Sequence, residues 1–307
     1  MLMRERHFLR PTTIVEARRL SKRLGMDLTL ASETFQHTGS FKFRAAYNVA
    51  ANVEADTILT ASSGNFGQAL AYACNLLGKK AIVVMPETSA RVKMDAVREY
   101  GGTVEPVDVK VKSRAARVAE LHEKHPEAFV SSAYDHPLVI EGNASLGREL
   151  APLDFDAIVV AVGGGGLSSG LIQGLRASGN RKTQVVGAEP LLGNDAARSL
   201  AAGHIVTNAS EPATIADGAR TVSLGEHNWA ILKDGIESIV EVPEENIAEA
   251  VRILFSLANL KAEPTGALGV GALLTDPGRF QGRRICAVVT GGNVDPENFQ
   301  KIVSSQG

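Results

Sequence analysis

Short apolar runs and amphipathic stretches alternate along this chain. Six consecutive apolar residues, Ala157-Ile158-Val159-Val160-Ala161-Val162, give the strongest strand signal. A run apolar at every position fits a strand buried on both faces of a parallel sheet. Shorter runs predict an entry strand after Pro11 and strands at 27–31, 57–59, 81–85, 103–107, 128–131, 183–188, 236–242 and 284–289. Helical stretches separate them: 16–24 closed by Gly25, 43–51, 69–77, 90–100 stopped by Gly101-Gly102, 113–124 and 138–150. Further helices are predicted at 167–177, at 244–260 behind Pro243, and at 267–274, whereas 191–217 is less regular. Strand and helix alternating over short connections predicts an α/β fold with parallel sheets and helices on both faces.

Composition narrows the class. The chain has 307 residues, 44% hydrophobic and 21% charged, enough for two lobes of ordinary soluble character. A net charge of −2 offers no nucleic-acid surface. No apolar run reaches the ~18 residues of a membrane helix. Met1 to His7 is too charged for a signal peptide, so a cytoplasmic protein is expected. Cys74 and Cys286 lie far apart in apolar surroundings and read as core thiols rather than as a disulfide or metal pair.

Three stretches carry candidate chemistry. In Gln36-His37-Thr38-Gly39-Ser40-Phe41-Lys42-Phe43-Arg44, a lysine opens a helical run. Such a lysine is either an ordinary surface residue or, with a buried amine of lowered pKa, an imine-forming group for an aldehyde cofactor. Thr60-Ala61-Ser62-Ser63-Gly64-Asn65-Phe66-Gly67-Gln68 stands between a strand and a helix. Backbone amides gather at such a turn and bind anions, although its serines serve equally as helix caps. Gly163-Gly164-Gly165-Gly166-Leu167-Ser168-Ser169-Gly170 follows the six-residue apolar run. Four glycines bring no side chains, so amides can wrap a phosphate closely. No Lys-Ser or Lys-Thr follows, which excludes a nucleotide phosphate loop, and Ser168 stands where a dinucleotide turn needs its third glycine.

In this order, and with Thr290-Gly291-Gly292-Asn293-Val294-Asp295 near the end, the chain resembles the fold-type II pyridoxal 5'-phosphate (PLP) enzymes, within them the serine/threonine dehydratase and serine racemase group. The resemblance runs from about Arg10 to Asp295. It implies a two-lobed fold of the tryptophan synthase β kind, with a large PLP-binding domain (1–56 and 135–307) and a small domain (57–134). It implies a Schiff base on Lys42, which would also remove the substrate's α-proton. Phe41 and Gly218 would flank the cofactor ring, and Asn65 would bond its hydroxyl. Gly163, Gly164, Gly165, Gly166 and Leu167 would bind its phosphate, and Thr290 would face its ring nitrogen, with Glu263 nearby. A hydroxyl at that nitrogen leaves it largely unprotonated, which suits β-elimination. Phe41 reads equally as a core residue, and Asn293 as a turn closer. Ser62, Ser63, Gly64 and Asn65 would receive the substrate carboxylate, with Phe66 and Tyr134 on the substrate side; Ser63 would be the second base in a racemase.

Glu189, Gly193 and Asp195 match a divalent-cation site of that group, suited to Mg²⁺ or Ca²⁺, although two carboxylates in a polar loop read equally as solvated or capping groups. Phe66 replaces the histidine usual in the group's Ser-Gly-Asn-His loop, exchanging a titratable group for an apolar wall that would suit a larger or more apolar β-substituent. No C-terminal regulatory domain is expected beyond Asp295. The expected activity is dehydration and deamination of a β-hydroxy amino acid to a 2-oxo acid and ammonia by a homodimer. Serine or threonine is the leading substrate, with 3-hydroxyaspartate and phenylserine open. Racemisation on the same residues, β-replacement and a non-catalytic binding role are the rival readings.

Overall fold

The computed structural model describes residues 8–62, 64–89 and 91–304. Its strands are β1 (Thr13–Val15), β2 (Asp27–Ser32), β3 (Thr57–Ala61), β4 (Lys80–Pro86) and β5 (Thr103–Val107). They continue as β6 (Phe129–Ser131), β7 (Ala157–Ala161), β8 (Gln184–Pro190), β9 (Ser238–Val242) and β10 (Arg284–Val289). Six of them form one sheet in the order β1-β2-β10-β7-β8-β9, and four form a second in the order β5-β4-β3-β6. Among the described strands, only β1 runs antiparallel to its neighbour; every other strand pair is parallel.

Strand β7 shows why its run is apolar throughout. Ala157, Val159 and Ala161 face one core with the helices Glu244–Ala258 and Pro264–Thr275. Ile158 and Val160, on the opposite face, join a second core with the helices Pro137–Leu150 and Gly166–Ala177. Alternate side chains of a strand point to opposite faces, so a sheet covered on both sides needs apolar residues at both parities. The four-stranded sheet is covered likewise. Helix Arg114–Lys124 lies on one face through Val118 and Leu121. Helices Lys42–Asn52 and Asn65–Leu76 cover the other. Helix Lys42–Asn52 therefore precedes the four-stranded sheet in sequence yet shares its core.

Three helices lack a forecast in the sequence: Asp195–Ala202, Glu226–Leu232 and Pro296–Ser304. The first lies inside the stretch read as irregular. Its buried residues are Asp195, Ala196 and Ser199, so no large apolar residue marks its inward face. Both cysteines are free and buried, and burial pushes each thiol's pKa up to about 12. Among the described residues, no helix is long and apolar enough to cross a membrane.

Candidate active site

Segments from both sheets meet at the carboxyl ends of parallel strands, where open α/β sheets place their ligands. Ser62 and Gly64 follow β3, Ala133-Tyr134 follows β6, the four glycines follow β7, and Thr290 follows β10. Lys42 is the first residue of its helix. Its amine donates to the carbonyl of Ala133 at 2.8 Å. The rings of Phe41 and Phe66 lie beside it, their centroids 5.1 and 5.8 Å from Nζ. Lys42 as a residue is only part-buried, but the amine itself is densely enclosed. Desolvation lowers its pKa to about 8, against an opposing pull from Glu263.

Phe66 is 1% exposed and packs in the core under the four-stranded sheet. It offers the site the flank of the lysine amine rather than an open wall. Ser62 behaves as a cap: its hydroxyl accepts from the amides of Gly67 at 3.1 Å and Gly64 at 3.4 Å. Ser63 lies outside the described residues.

The glycine turn leads into helix Gly166–Ala177, with Gly165 in the left-handed region at φ 93°. A Cβ on Gly164 would sit 2.1 Å from the Tyr134 ring, and one on Gly166 would sit 2.5 Å from the Tyr134 carbonyl oxygen. No side chain fits at either position. Ser169 donates back to Gly165 at 2.9 Å, so the amides of Gly166 and Leu167 precede the first bond of their own helix. These amides and the helix dipole make an anion cradle. Asn228 fixes its wall by donating to the carbonyls of Gly164, at 2.7 Å, and Tyr134, at 3.1 Å. Gly218 donates to the Thr265 hydroxyl at 2.9 Å, and its carbonyl lies 3.4 Å from the Cβ position of Gly163.

A polar chain closes the remaining side. Asn65 donates to Glu263 at 2.7 Å and accepts from Asn293 at 2.8 Å, while Asn293 also donates to the Thr38 carbonyl at 2.6 Å. Asn293 is thus more than a turn closer: it orients the Asn65 amide. Thr290 is buried, and its carbonyl accepts from the amide of Phe41 at 3.0 Å. Glu263 is 4% exposed. Burial raises its pKa to about 8, helped by Asp217 and opposed by Asn65, Lys93 and Lys42. Sequence reasoning missed Asn228, Thr265 and the Ala133 carbonyl, since each acts through a contact remote in sequence.

Glu189 and Asp195 are both 1% exposed. The carboxylate of Glu189 accepts from the amides of Ala196 and Ala197 at 2.8 and 2.9 Å, and so caps the helix Asp195–Ala202. Burial holds its pKa well above the ordinary value. Asp195 accepts from Asn208 at 2.9 Å through Oδ1, but its Oδ2 is buried without a partner. Burial raises its pKa to about 6. Among the described residues, no three His, Cys, Asp or Glu side chains gather as a metal cluster. Two open concavities, around Asp154 and Lys182 and around Arg176 and Asp234, include none of these site residues.

An amine of lowered pKa, amides free for a phosphate, and a glycine-walled space fit a phosphorylated aldehyde. Comparison with known proteins agrees. Residues 6–291 match the family of pyridoxal-phosphate dependent enzymes. An L-threo-3-hydroxyaspartate ammonia-lyase from Pseudomonas sp is 36% identical over 304 residues, spanning 96% of this chain and 94% of that protein. The crystal structure of T.th. threonine deaminase superposes with a TM-score of 0.87 at 39% identity, covering 93% of this chain and 92% of that one. Maize serine racemase superposes at 0.90 with 30% identity, covering 96% and 92%. Lysine, glycine cradle and asparagine–glutamate pair thus stand in the frame of fold-type II enzymes, and the chain belongs to the pyridoxal-phosphate dependent enzyme family.

Proposed function

We propose that this enzyme is an ammonia-lyase that dehydrates a β-hydroxy amino acid and releases a 2-oxo acid and ammonia. One observation carries the site assignment: the dipeptide Ala133-Tyr134 touches both the Lys42 amine and the glycine turn. The amine and the anion cradle thereby share one wall. The names of the Pseudomonas ammonia-lyase and the T.th. threonine deaminase support the reaction class.

When bound, PLP supplies an aldehyde that captures amines and a ring that spreads the charge left when an α-proton departs. The amides of Gly163, Gly164, Gly165, Gly166 and Leu167 would hold its phosphate, and Thr290, Phe41, Gly218 and Asn65 would line its ring. Glu263 holds Asn65 in one orientation. The amides of Gly64 and Asn65, at the start of helix Asn65–Leu76, take the substrate carboxylate. Lys42 takes the α-proton. Its lowered pKa keeps a useful fraction of the amine neutral near neutral pH. The Phe41 and Phe66 rings exclude water from that amine. The hydroxyl leaves as water, and hydrolysis of the released enamine gives the oxo acid and ammonia.

The same reading divides the chain into a large domain, 1–56 with 135–307, and a small one, 57–134. The two sheets support the division, with helix Lys42–Asn52 reaching into the small domain's core. A cation, Mg²⁺ or Ca²⁺, would bind Glu189, the Gly193 carbonyl and Asp195; the unpartnered Asp195 Oδ2 supports this. The family resemblance supports a homodimer, and the charged N-terminus with two unpaired core cysteines supports the cytoplasm. The likeness to maize serine racemase favours racemisation as the second reading, with Ser63 as the added base.

The test is release of 2-oxo acid and ammonia by the PLP-loaded protein from L- and D-serine, L-threonine, the 3-hydroxyaspartates and phenylserine. Oxo acid from at least one substrate is expected, as is loss of the imine absorbance with an activity drop of about 10²–10⁴-fold in Lys42→Ala. Inverted amino acid with little oxo acid would establish the racemase. Unchanged turnover in Lys42→Ala would remove the assignment of the base.

A further inference from the structure

The carbonyls of the glycine turn are held from outside by side chains of two other helices. Asn228, on helix Glu226–Leu232, donates through Nδ2 to the Gly164 carbonyl at 2.7 Å, and the Gly225 amide donates to the same oxygen at 3.1 Å. Asn143, on helix Pro137–Leu150, donates through Nδ2 to the Gly166 carbonyl at 3.0 Å. Between them, the Gly165 carbonyl accepts from the Ser168 hydroxyl at 3.0 Å and the Ser169 amide at 2.9 Å. Gly170 lets Asn143 come this close: a Cβ there would sit 2.5 Å from the Asn143 Cβ.

In a trans peptide, as every described one is here, the C=O of one residue and the N–H of the next point in opposite directions. Holding the carbonyls of Gly164, Gly165 and Gly166 therefore turns the amides of Gly165, Gly166 and Leu167 away from those partners and into the anion cradle. None of these three amides has a partner of its own among the described residues. Successive amides fixed in this way form a nest for an anion, and donors aimed beforehand need no reorganisation when it arrives. The two asparagines serve through their donors alone. Asn143 is 1% exposed and Asn228 fully buried, and Oδ1 of each has no partner among the described residues. An acceptor buried in this state is costly, and turning either side-chain amide over would set oxygen against carbonyl oxygen.

We propose that Asn143 and Asn228 are positioning residues that aim the amides of the glycine turn before any anion arrives, so that the site's preference for a phosphorylated aldehyde over the same aldehyde without its phosphate depends on them. The proposal rests on the cofactor reading of the site, not on which substrate is turned over.

The experiment measures dissociation constants of PLP and of pyridoxal from the imine absorbance, in the parent protein and in Asn143→Leu and Asn228→Leu. Asn143→Asp and Asn228→Asp, which keep the shape and remove the donor, form a second pair. In parallel, calorimetry follows inorganic phosphate binding to the cofactor-free proteins. Each variant should lower the preference for PLP over pyridoxal about fivefold or more, the loss expected for one hydrogen bond. Phosphate binding should weaken by a similar factor. Asn48→Leu, which removes a bond of the same kind to the Leu138 carbonyl, should leave the preference where it was. Equal losses for PLP and pyridoxal would make the asparagines merely structural and overturn the proposal, as would an unmoved preference or one that follows Asn48→Leu. If the parent forms no imine with either aldehyde, the cofactor reading fails. The phosphate series then decides alone whether the asparagines aim the cradle.

Discussion

Lys42 and Glu263 have both moved away from their ordinary protonation behaviour, in opposite directions and for the same reason. Burial disfavours whichever form is charged, lowering the lysine to about 8 and raising the glutamate to about 8. The two shifts leave distinct marks on stability. From 4.5 to about 8, folded Glu263 keeps a proton that the unfolded chain has released, so stability falls as pH rises. From about 8 to 10.5, unfolded Lys42 keeps a proton that the folded chain has released, so stability rises with pH. Cofactor-free protein should carry both limbs, with the turning point near pH 8. Glu263→Gln should flatten the first limb relative to the parent, and Lys42→Met the second, in denaturant titrations between about pH 5 and 10. Parallel curves for parent and variant would show that the groups titrate normally. Lys42 could be singled out in sequence only together with the serine and glycine turns, and its amine lies against Ala133, whose neighbour Tyr134 walls the glycine turn. Its basicity was not legible, because it depends on Phe66 and Ala133, which arrive from other elements.

At the scale of elements, the helix bearing Lys42 is anchored by Arg44, fully buried two residues on. Arg44 grips Glu33 with two bonds of 2.7 and 2.9 Å, and Glu149 with two of 2.7 and 3.1 Å. It thereby ties helix Lys42–Asn52 to the end of β2 and to helix Pro137–Leu150. Removing the guanidinium strands a carboxylate, Glu33, that has no access to water. Arg44→Met should cost about 3 kcal/mol or more in chemical denaturation, since breaking a buried pair leaves its partner uncompensated. Arg44→Lys should recover only part of that, because an ammonium cannot serve two carboxylates bidentately. A melt indistinguishable from the parent would show that the hub does not hold the helix. The same non-local logic explains two of the three helices the sequence hid. Helix Glu226–Leu232 begins on amides that donate to Asp135, and Asp195–Ala202 on amides that donate to Glu189. A local cap such as Ser113 before helix Arg114–Lys124 can be read along the chain, but a cap delivered from another strand or loop cannot. The buried parallel strands were legible because a sheet covered on both faces imposes its apolar rule on one short run at a time.

At the scale of the whole molecule, the two sheets are joined across the site by a few polar links, and several share one segment. Lys93 and Arg114 reach from the four-stranded side to Asp217 and Glu211. That segment is rooted where Glu189 caps helix Asp195–Ala202 and where Asn208 donates to Asp195. A cation at Asp195 Oδ2 would therefore fasten the base of the segment that both ion pairs use. Mg²⁺ or Ca²⁺ at about 100 times its dissociation constant should stabilise the protein by ~2.7 kcal/mol, a rise of several degrees in Tm. EDTA should remove the gain, and Asp195→Asn should abolish the response. Cation and proton compete for this carboxylate, whose pKa burial raises to about 6. The cation's effect should therefore be full well above that pH and shrink below it, as calorimetric melts at either side would show. A response of equal size in acid and in base, or one retained by Asp195→Asn, would place the cation elsewhere and leave Glu189 as a helix cap alone.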